Sequence, residues 1–469
     1  MFRFSIWLLL LSISPLSSFA GEDTPNIVLI FCDDLGYGDL GVYGSKLNRT
    51  PRIDGLAADG IKFSEFYSSS PVCTPSRASL MTGAYARTVG MHEDYTGHWV
   101  LIPRSQRGLN PGELTIAEAL KTKGYATACI GKWHLGDQPE HLPTEHGFDY
   151  YYGIPYSNDM QQAKRGDPPL PIVQNKEVIE APADQSTLTK RYTEEAIKFI
   201  ETNQAQPFFL YLPHTFPHLP LFASPAFKDR SANGRYGDSV EEIDWSTGEI
   251  LDCLKRLNLE DDTLFIFTSD NGSNGRNGGS NFPLAGIKGQ TMEGGMRVPM
   301  IAKWPGKIPK GSVSNEMATM MDFLPTFAAI TGAELSDRPI DGHDIQPLLY
   351  GEAGAETPYE KFYYYRRRQL QAVRQGDWKY HLPLNETHPN WTSATPLGDG
   401  RPAKLVNLAN DLQETTDLSD QYPEVVAQMK QLVNQAIEKY GNDAMDGYAQ
   451  REALTLKSSA PLVIKSSNP

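Results

Sequence analysis

The sequence of 469 residues has only four cysteines, Cys32, Cys73, Cys129 and Cys253. That is too few for a disulfide scaffold, so a packed core must hold the fold. It has no excess of positive charge: 43 Lys and Arg stand against 57 Asp and Glu, a formal net charge of −14. A nucleic-acid binder would present a basic face, so that role is disfavoured. An anionic substrate would have to be captured by a local basic pocket working against the overall field. Beyond the N-terminus no apolar run is long enough to span a membrane. The N-terminus carries Met1-Phe2-Arg3, an apolar stretch over 6–11 and small residues up to Ala20, which is the pattern of a signal peptide over 1–20. Ser12, Ser14 and Pro15 interrupt that stretch, so the expectation is export (to a periplasm, the exterior or a lysosomal-type lumen, according to host) rather than anchoring.

What is present is an alternation of strand and helix. Asn26-Ile27-Val28-Leu29-Ile30-Phe31-Cys32 is a continuous apolar run of the kind covered on both faces. Helices are predicted over 51–59, with Thr50 as cap, and from Thr115, where Thr115 and Glu118 form a capping box. Further strands are predicted over 125–130, 208–212 and 263–268, with one amphipathic helix before the second of these and another between the last two. The fold class is α/β with a mostly parallel sheet flanked by helices. Near 355 the texture changes to short strands over 360–366, 370–373 and 377–381, then a terminal helix. The chain therefore divides into a signal peptide (1–20), a main domain (21–355), a smaller C-terminal α+β domain (356–455) and a loose tail (456–469), with a loop over 385–402. Sequons at Asn48, Asn385 and Asn390 read as surface sites in a host that glycosylates.

Four strands deliver polar residues just past their C-terminal ends: Asp33 and Asp34, Lys132 and His134, His214 and His218, Asp270 and Asn271. In open α/β sheets that edge is where ligands bind. Taken singly, Asp-Asp-Leu-Gly and Asp-Asn-Gly are also ordinary turns, and either histidine could merely bond a loop. Three carboxylates and an amide carbonyl make a hard, all-oxygen set, suited to Ca²⁺ or Mg²⁺ rather than zinc. The Asn-Gly-Ser sequon at Asn271 is then accidental. Downstream, Lys288 and Arg297 add cations within a glycine-rich segment. Cys73-Thr74-Pro75-Ser76-Arg77 reads as a turn entering a helix, with Cys73 at the N-terminus, where free N–H groups lower a thiol pKa. Together these groups suit a tetrahedral oxyanion and the charge that develops around it.

The stretch Cys73-Thr74-Pro75-Ser76-Arg77, with Leu80 and Thr82-Gly83, resembles the full signature of the type I, formylglycine-dependent sulfatases. Gly131-Lys132-Trp133-His134-Leu135-Gly136 resembles their second signature. Gly153-Ile154-Pro155-Tyr156-Ser157 and the segment 289–299 place the resemblance in the arylsulfatase A and N-acetylgalactosamine-6-sulfatase branch. The resemblance implies an alkaline-phosphatase-like sheet and conversion of Cys73 to formylglycine by a separate formylglycine-generating enzyme. One hydroxyl of the hydrated aldehyde attacks sulfur and expels the alcohol; the second then loses its proton as sulfate leaves. Asp33, Asp34, Asp270 and Asn271 match the calcium ligands, together with the modified Cys73. Arg77 and His134 match residues that position and activate the hydrate, and Lys132, Ser157, His218 and Lys288 match the sulfate-binding set. His218 fits better than His214.

The implied substrate is a sulfated carbohydrate, or an aryl sulfate as surrogate. Specificity is expected in rim loops around 86–110, 157–185, 225–240 and 385–402. Two alternatives use the same framework: a phosphatase or phosphonate hydrolase of this superfold, and a non-catalytic sulfoglycan-binding protein. The first would place Ser or Thr at the nucleophile and bind two zinc ions; the second would require loss of a key residue.

Overall fold

The structure, a computed structural model, describes residues 24–384, 402–443 and 445–462. The residues expected to form a signal peptide (1–20), nearly all of those expected to form a loop over 385–402, the sequons at Asn385 and Asn390, and the last seven residues lie outside it. Strand Asn26–Cys32 is buried along its whole length, as its unbroken apolar sequence requires. Its side chains split by the two-residue period: Ile27, Leu29 and Phe31 enter one core, Val28, Ile30 and Cys32 the other. It pairs in parallel with Thr263–Ser269 on one side and Phe208–Pro213 on the other. Ala126–Ile130 and Tyr150–Gly153 extend the parallel centre.

The ten-stranded sheet is not parallel to its edges. Met300–Lys303 and Ile61–Phe63 join one flank antiparallel, and Ile172–Gln174 and Glu177–Glu180 join the other the same way. The last two form a hairpin, which needs no crossover helix. Helices Leu188–Asn203 and Gly234–Arg256 cover one face; Cys73–Thr82, Ile116–Lys121 and Phe323–Thr331 cover the other. The Thr115 capping box forms: Thr115 N donates to Glu118 Oε2 at 2.8 Å, and Glu118 N to Thr115 Oγ1 at 3.2 Å. Helix Pro51–Ala58 forms too, but Thr50 does not cap it; its hydroxyl donates to Asp54 and accepts from Gly41.

The C-terminal region is a four-stranded antiparallel sheet, Phe362–Arg366, Gln369–Gln375, Trp378–His381 and Lys404–Asn407, packed against helix Pro423–Tyr440. The segment expected as a loose tail is held as far as Leu462. Leu454–Thr455 pairs with Arg107–Gly108, Ser459 Oγ donates to Arg104 O, and Ala460 N donates to Gln138 Oε1. All four cysteines are free and buried. Asn48 is buried as well: its Nδ2 donates to Asp39 O and its Oδ1 accepts from Asn233, both at 2.8 Å. The sequon there is spent on packing, so the expectation of a surface glycan at Asn48 does not hold.

Candidate active site

Strand register assembles the site. Cys32 lies opposite Ser269 in a parallel pair, so the residues that follow, Asp33-Asp34 and Asp270-Asn271, emerge side by side. The amide of Asp34 donates to Asp270 Oδ1 at 3.1 Å, and Asn271 Nδ2 donates to Asp34 Oδ1 at 2.8 Å. Strand Ala126–Ile130, two places along the sheet, brings Lys132 and His134 to the same edge. Asp34 and His134 are both in the left-handed region, at φ 65° and 60°, an uncommon conformation for non-glycine residues and one that clusters at functional sites. At Gly272 a side chain is impossible, because its Cβ would stand 1.8 Å from Gly294 O. That close approach folds the segment carrying Lys288 back over the sheet edge.

Cys73 opens helix Cys73–Thr82 and is buried. Lys288 Nζ lies 3.9 Å from its sulfur and 2.7 Å from Asp34 Oδ1. Lys132 bonds Asp33 Oδ2 and donates to Ser157 Oγ at 3.2 Å. Arg77, one turn into the helix, donates to Asp270 Oδ2 at 2.9 Å and to Lys132 O at 2.8 Å, with its guanidinium over the Phe31 ring. The Cys73 thiol is not acidified. Burial pushes it up to about 11, and the nearby lysines do not reverse this. The helix N-terminus expected to lower its pKa is outweighed because the sulfur is fully desolvated beside Asp33 and Asp270.

The carboxylates differ. Burial works against ionising Asp33, but Lys132, His218, Arg77 and Lys288 outweigh it and hold the acid far below its ordinary range. Burial and the neighbouring Asp33 push Asp270 up to about 7. One oxygen from each of Asp33, Asp34 and Asp270 lies within 4.8 Å of the others. Asp33 Oδ1 and Asn271 Oδ1 are buried with no hydrogen-bond partner. Orphaned oxygens among converging carboxylates fit a hard divalent cation, which would satisfy the free lone pairs and offset the repulsion on Asp270.

The two histidines part company. His218 enters the site: its Nε2 faces Ser157 Oγ at 3.5 Å and Asp34 Oδ2 at 3.9 Å, while Nδ1 contacts Leu219 O at 2.5 Å and Asn158 Oδ1 at 3.1 Å. His214 turns away, to Ser246 Oγ at 3.3 Å and the Tyr192 ring, and burial lowers it to about 3. His134 Nε2 lies 2.9 Å from Leu101 O, so it carries the proton and leaves Nδ1 as the acceptor; Nδ1 is buried without a partner. Burial and Lys132 keep this imidazole neutral.

Two features escaped the sequence reading. Glu293, Lys379 and Glu414 form a fully buried ion cluster that ties the C-terminal sheet to the Lys288 segment: Lys379 Nζ is 3.0 Å from Glu293 and 3.2 Å from Glu414, and Glu293 N donates to Glu414 at 2.7 Å. Thr291 Oγ1 donates to Gln371 Oε1 beside it. Arg297 belongs to this cluster, 3.8 Å from Glu293, and not to the carboxylate edge. The other is Asp159, two residues past Ser157, half-buried, with Oδ1 unpartnered. Neither leaves a local pattern: Glu293 falls in the 289–299 segment, but its partners Lys379 and Glu414 lie 86 and 121 residues away.

A family model described as Sulfatase matches residues 25–333, and one described as N-sulphoglucosamine sulphohydrolase, C-terminal, matches residues 288–439. The chain is 40% identical over 398 residues to N-acetylgalactosamine-6-sulfatase of Canis lupus familiaris, across 80% of this chain and 75% of that one. It is 39% identical over 448 residues to arylsulfatase A of Homo sapiens, across 87% of each. Among solved structures, the PsFucS1 sulfatase from Pseudoalteromonas superposes with a TM-score of 0.78 at 30% identity, over 90% of this chain and 92% of that one. A phosphonate monoester hydrolase of Agrobacterium radiobacter shares the fold at a TM-score of 0.60 and 20% identity, over 88% of this chain and 95% of that one.

Proposed function

Because this chain belongs to the sulfatase family, we propose that it releases inorganic sulfate from a sulfated carbohydrate, using Cys73 as nucleophile precursor beside a Ca²⁺ site. The observation that carries this reading is the placement of Cys73: first residue of a buried helix, 3.9 Å from Lys288, grouped at ligand distance with Asp33 and His218. The formylglycine hydrate supplies a hydroxyl nucleophile that is regenerated as the aldehyde when sulfate leaves. Cys73 is buried in the folded chain, so a formylglycine-generating enzyme has to reach it before the helix packs. Among the described residues no helix is long and apolar enough to cross a membrane.

Asp33, Asp34, Asp270 and Asn271 would hold Ca²⁺, which polarises a sulfate oxygen and the hydrate when bound. Magnesium fits less well, since four crowded protein oxygens suit the larger, more flexible coordination of calcium. The carboxylates of Asp33, Asp34 and Asp270 stand against Arg77, Lys132 and Lys288; a bound divalent cation would leave the site with net positive charge, which suits an anionic sulfate ester. Lys132, Lys288 and Ser157 then grip the sulfate oxygens. Arg77, locked by Asp270 and the Lys132 carbonyl, orients the hydrate, and His134 Nδ1 accepts its proton. His218 presents Nε2 to the leaving oxygen; burial and Lys288 depress its pKa, and an arriving sulfate anion restores the proton it must donate.

The test compares nitrophenyl sulfate with nitrophenyl phosphate, using protein made with a formylglycine-generating enzyme. Sulfate cleavage should dominate and should vanish in Cys73→Ala. Predominant phosphate cleavage, or turnover that survives in Cys73→Ala, would overturn the reading.

A further inference from the structure

We propose that Asp159 is a specificity-determining residue that accepts a hydroxyl adjacent to the sulfate, so that the site selects a sugar sulfate over an aryl sulfate. This inference rests on the reading just given and names the substrate chemistry of the same site. Ser157, Asn158 and Asp159 are consecutive on a turn closed by Met160 N donating to Ser157 O at 3.0 Å. The first two are committed. Ser157 Oγ accepts from Lys132 and faces His218, and Asn158 holds His218 Nδ1 while its own amide is tied to Gln185 and Pro220. Asp159 is different: its carboxylate reaches Ser157, yet Oδ1 is buried with no partner.

A carboxylate there works against the proposed function. It adds negative charge within the field of Lys132, Lys288 and His218, which serve an anion. Burial disfavours its ionisation, but those neighbours, with His218 foremost, outweigh it and keep the acid below its ordinary range. An ionised carboxylate is acceptor-only, and leaving it unsatisfied costs its desolvation without return. It is not among the groups at metal-ligand distance of one another. The chemistry that satisfies it is a neutral donor arriving with the substrate. A sulfated sugar brings hydroxyls flanking the ester; a nitrophenyl sulfate brings none. Sites built to bond a substrate hydroxyl reject analogues that lack it, because the buried acceptor is left unpaired.

The experiment measures kcat/KM of the calcium-loaded, formylglycine-bearing enzyme toward hexose sulfates, the same hexose sulfates deoxygenated one position at a time, and nitrophenyl sulfate. For the wild type, removing one particular hydroxyl next to the ester should lower kcat/KM about 10- to 100-fold, the range for a hydrogen bond to a charged group. Asp159→Asn should show a similar loss toward the intact sugar, become indifferent to that deoxygenation, and gain toward nitrophenyl sulfate because one negative charge has gone. The wild-type arm stands even if the variant folds poorly. Equal turnover of intact and deoxygenated sugars by the wild type would overturn the inference, as would equal loss toward sugar and aryl sulfates in the variant. Absence of turnover on every sulfate would instead overturn the function it rests on.

Discussion

Lys379→Met is the perturbation whose cost is easiest to work out. Lys379 and its partners Glu293 and Glu414 have no exposed side-chain surface. Glu293 also accepts from the Tyr67 and Tyr364 hydroxyls, and the Lys379 ammonium sits 3.9 Å from the Tyr364 ring centre. Removing the cation leaves two buried carboxylates facing each other, with Arg297, 3.8 Å from Glu293, and His381, beside Glu414, left to compensate them. Breaking a buried ion pair from one side costs about 3–5 kcal/mol, because the remaining charge is stranded. The damage should be local first. Glu293 closes the segment that carries Lys288, and besides the ion cluster that segment is fixed from the C-terminal region by Glu293 N to Glu414, Thr291 to Gln371, Gln413 to Pro283 O, and Ala285 N to Leu412 O at 3.1 Å. In urea, the variant should therefore lose sulfate turnover at a lower concentration than it loses its helical circular dichroism, whereas in the wild type the two curves lie closer together. Glu293→Gln added to Lys379→Met should recover part of the loss. A single-variant change below about 1 kcal/mol, the scale of an exposed pair, would refute the reasoning. The same cluster sets a pH dependence. Burial opposes ionisation of Glu293, but Lys379, Arg374 and Arg297 hold it at about 2 against an ordinary 4.5. A depressed carboxyl stabilises above its unfolded value, so this contribution is whole above pH 4.5 and is lost as pH falls toward 2.

The histidines and the carboxylate cluster supply two more tests. His218→Ala should lower kcat by about 10²–10⁴-fold, the usual range for a lost general acid, while His214→Ala acts mainly on the thermal midpoint; the reverse order would overturn the assignment. Asp270→Asn should weaken calcium binding, read by titration calorimetry and by the rise in thermal midpoint with added Ca²⁺. In the wild type, free Ca²⁺ at 100 times its dissociation constant should stabilise by about 2.7 kcal/mol, and an unchanged midpoint would remove the metal site.

What the sequence made legible was chemistry placed at the ends of strands. The runs before Asp33 and Asp270 are apolar throughout, so their interruption by paired polar residues marks the sheet edge, and one parallel register then makes the pairs neighbours. Lys132 and His134 follow by the same logic. His214 and His218 could not be separated that way, since both follow one strand, and the outcome depends on contacts from Asn158 and Ser246, elsewhere in the chain. The thiol of Cys73 was misjudged because a helix N-terminus is visible in sequence and complete burial is not. Lys379 and Glu293 meet across 86 residues, and Lys404–Asn407 joins its sheet after a long intervening segment; neither pairing leaves a local pattern. Asn48 shows the opposite error, a three-residue motif that matches by sequence while the side chain packs inside.

The most direct test is the mass of the peptide spanning Cys73, taken from protein produced in a host with a formylglycine-generating enzyme. The expected result is an aldehyde or its hydrate at position 73, with specific sulfate turnover rising in proportion to the fraction converted. An unmodified thiol in fully active protein would contradict the account.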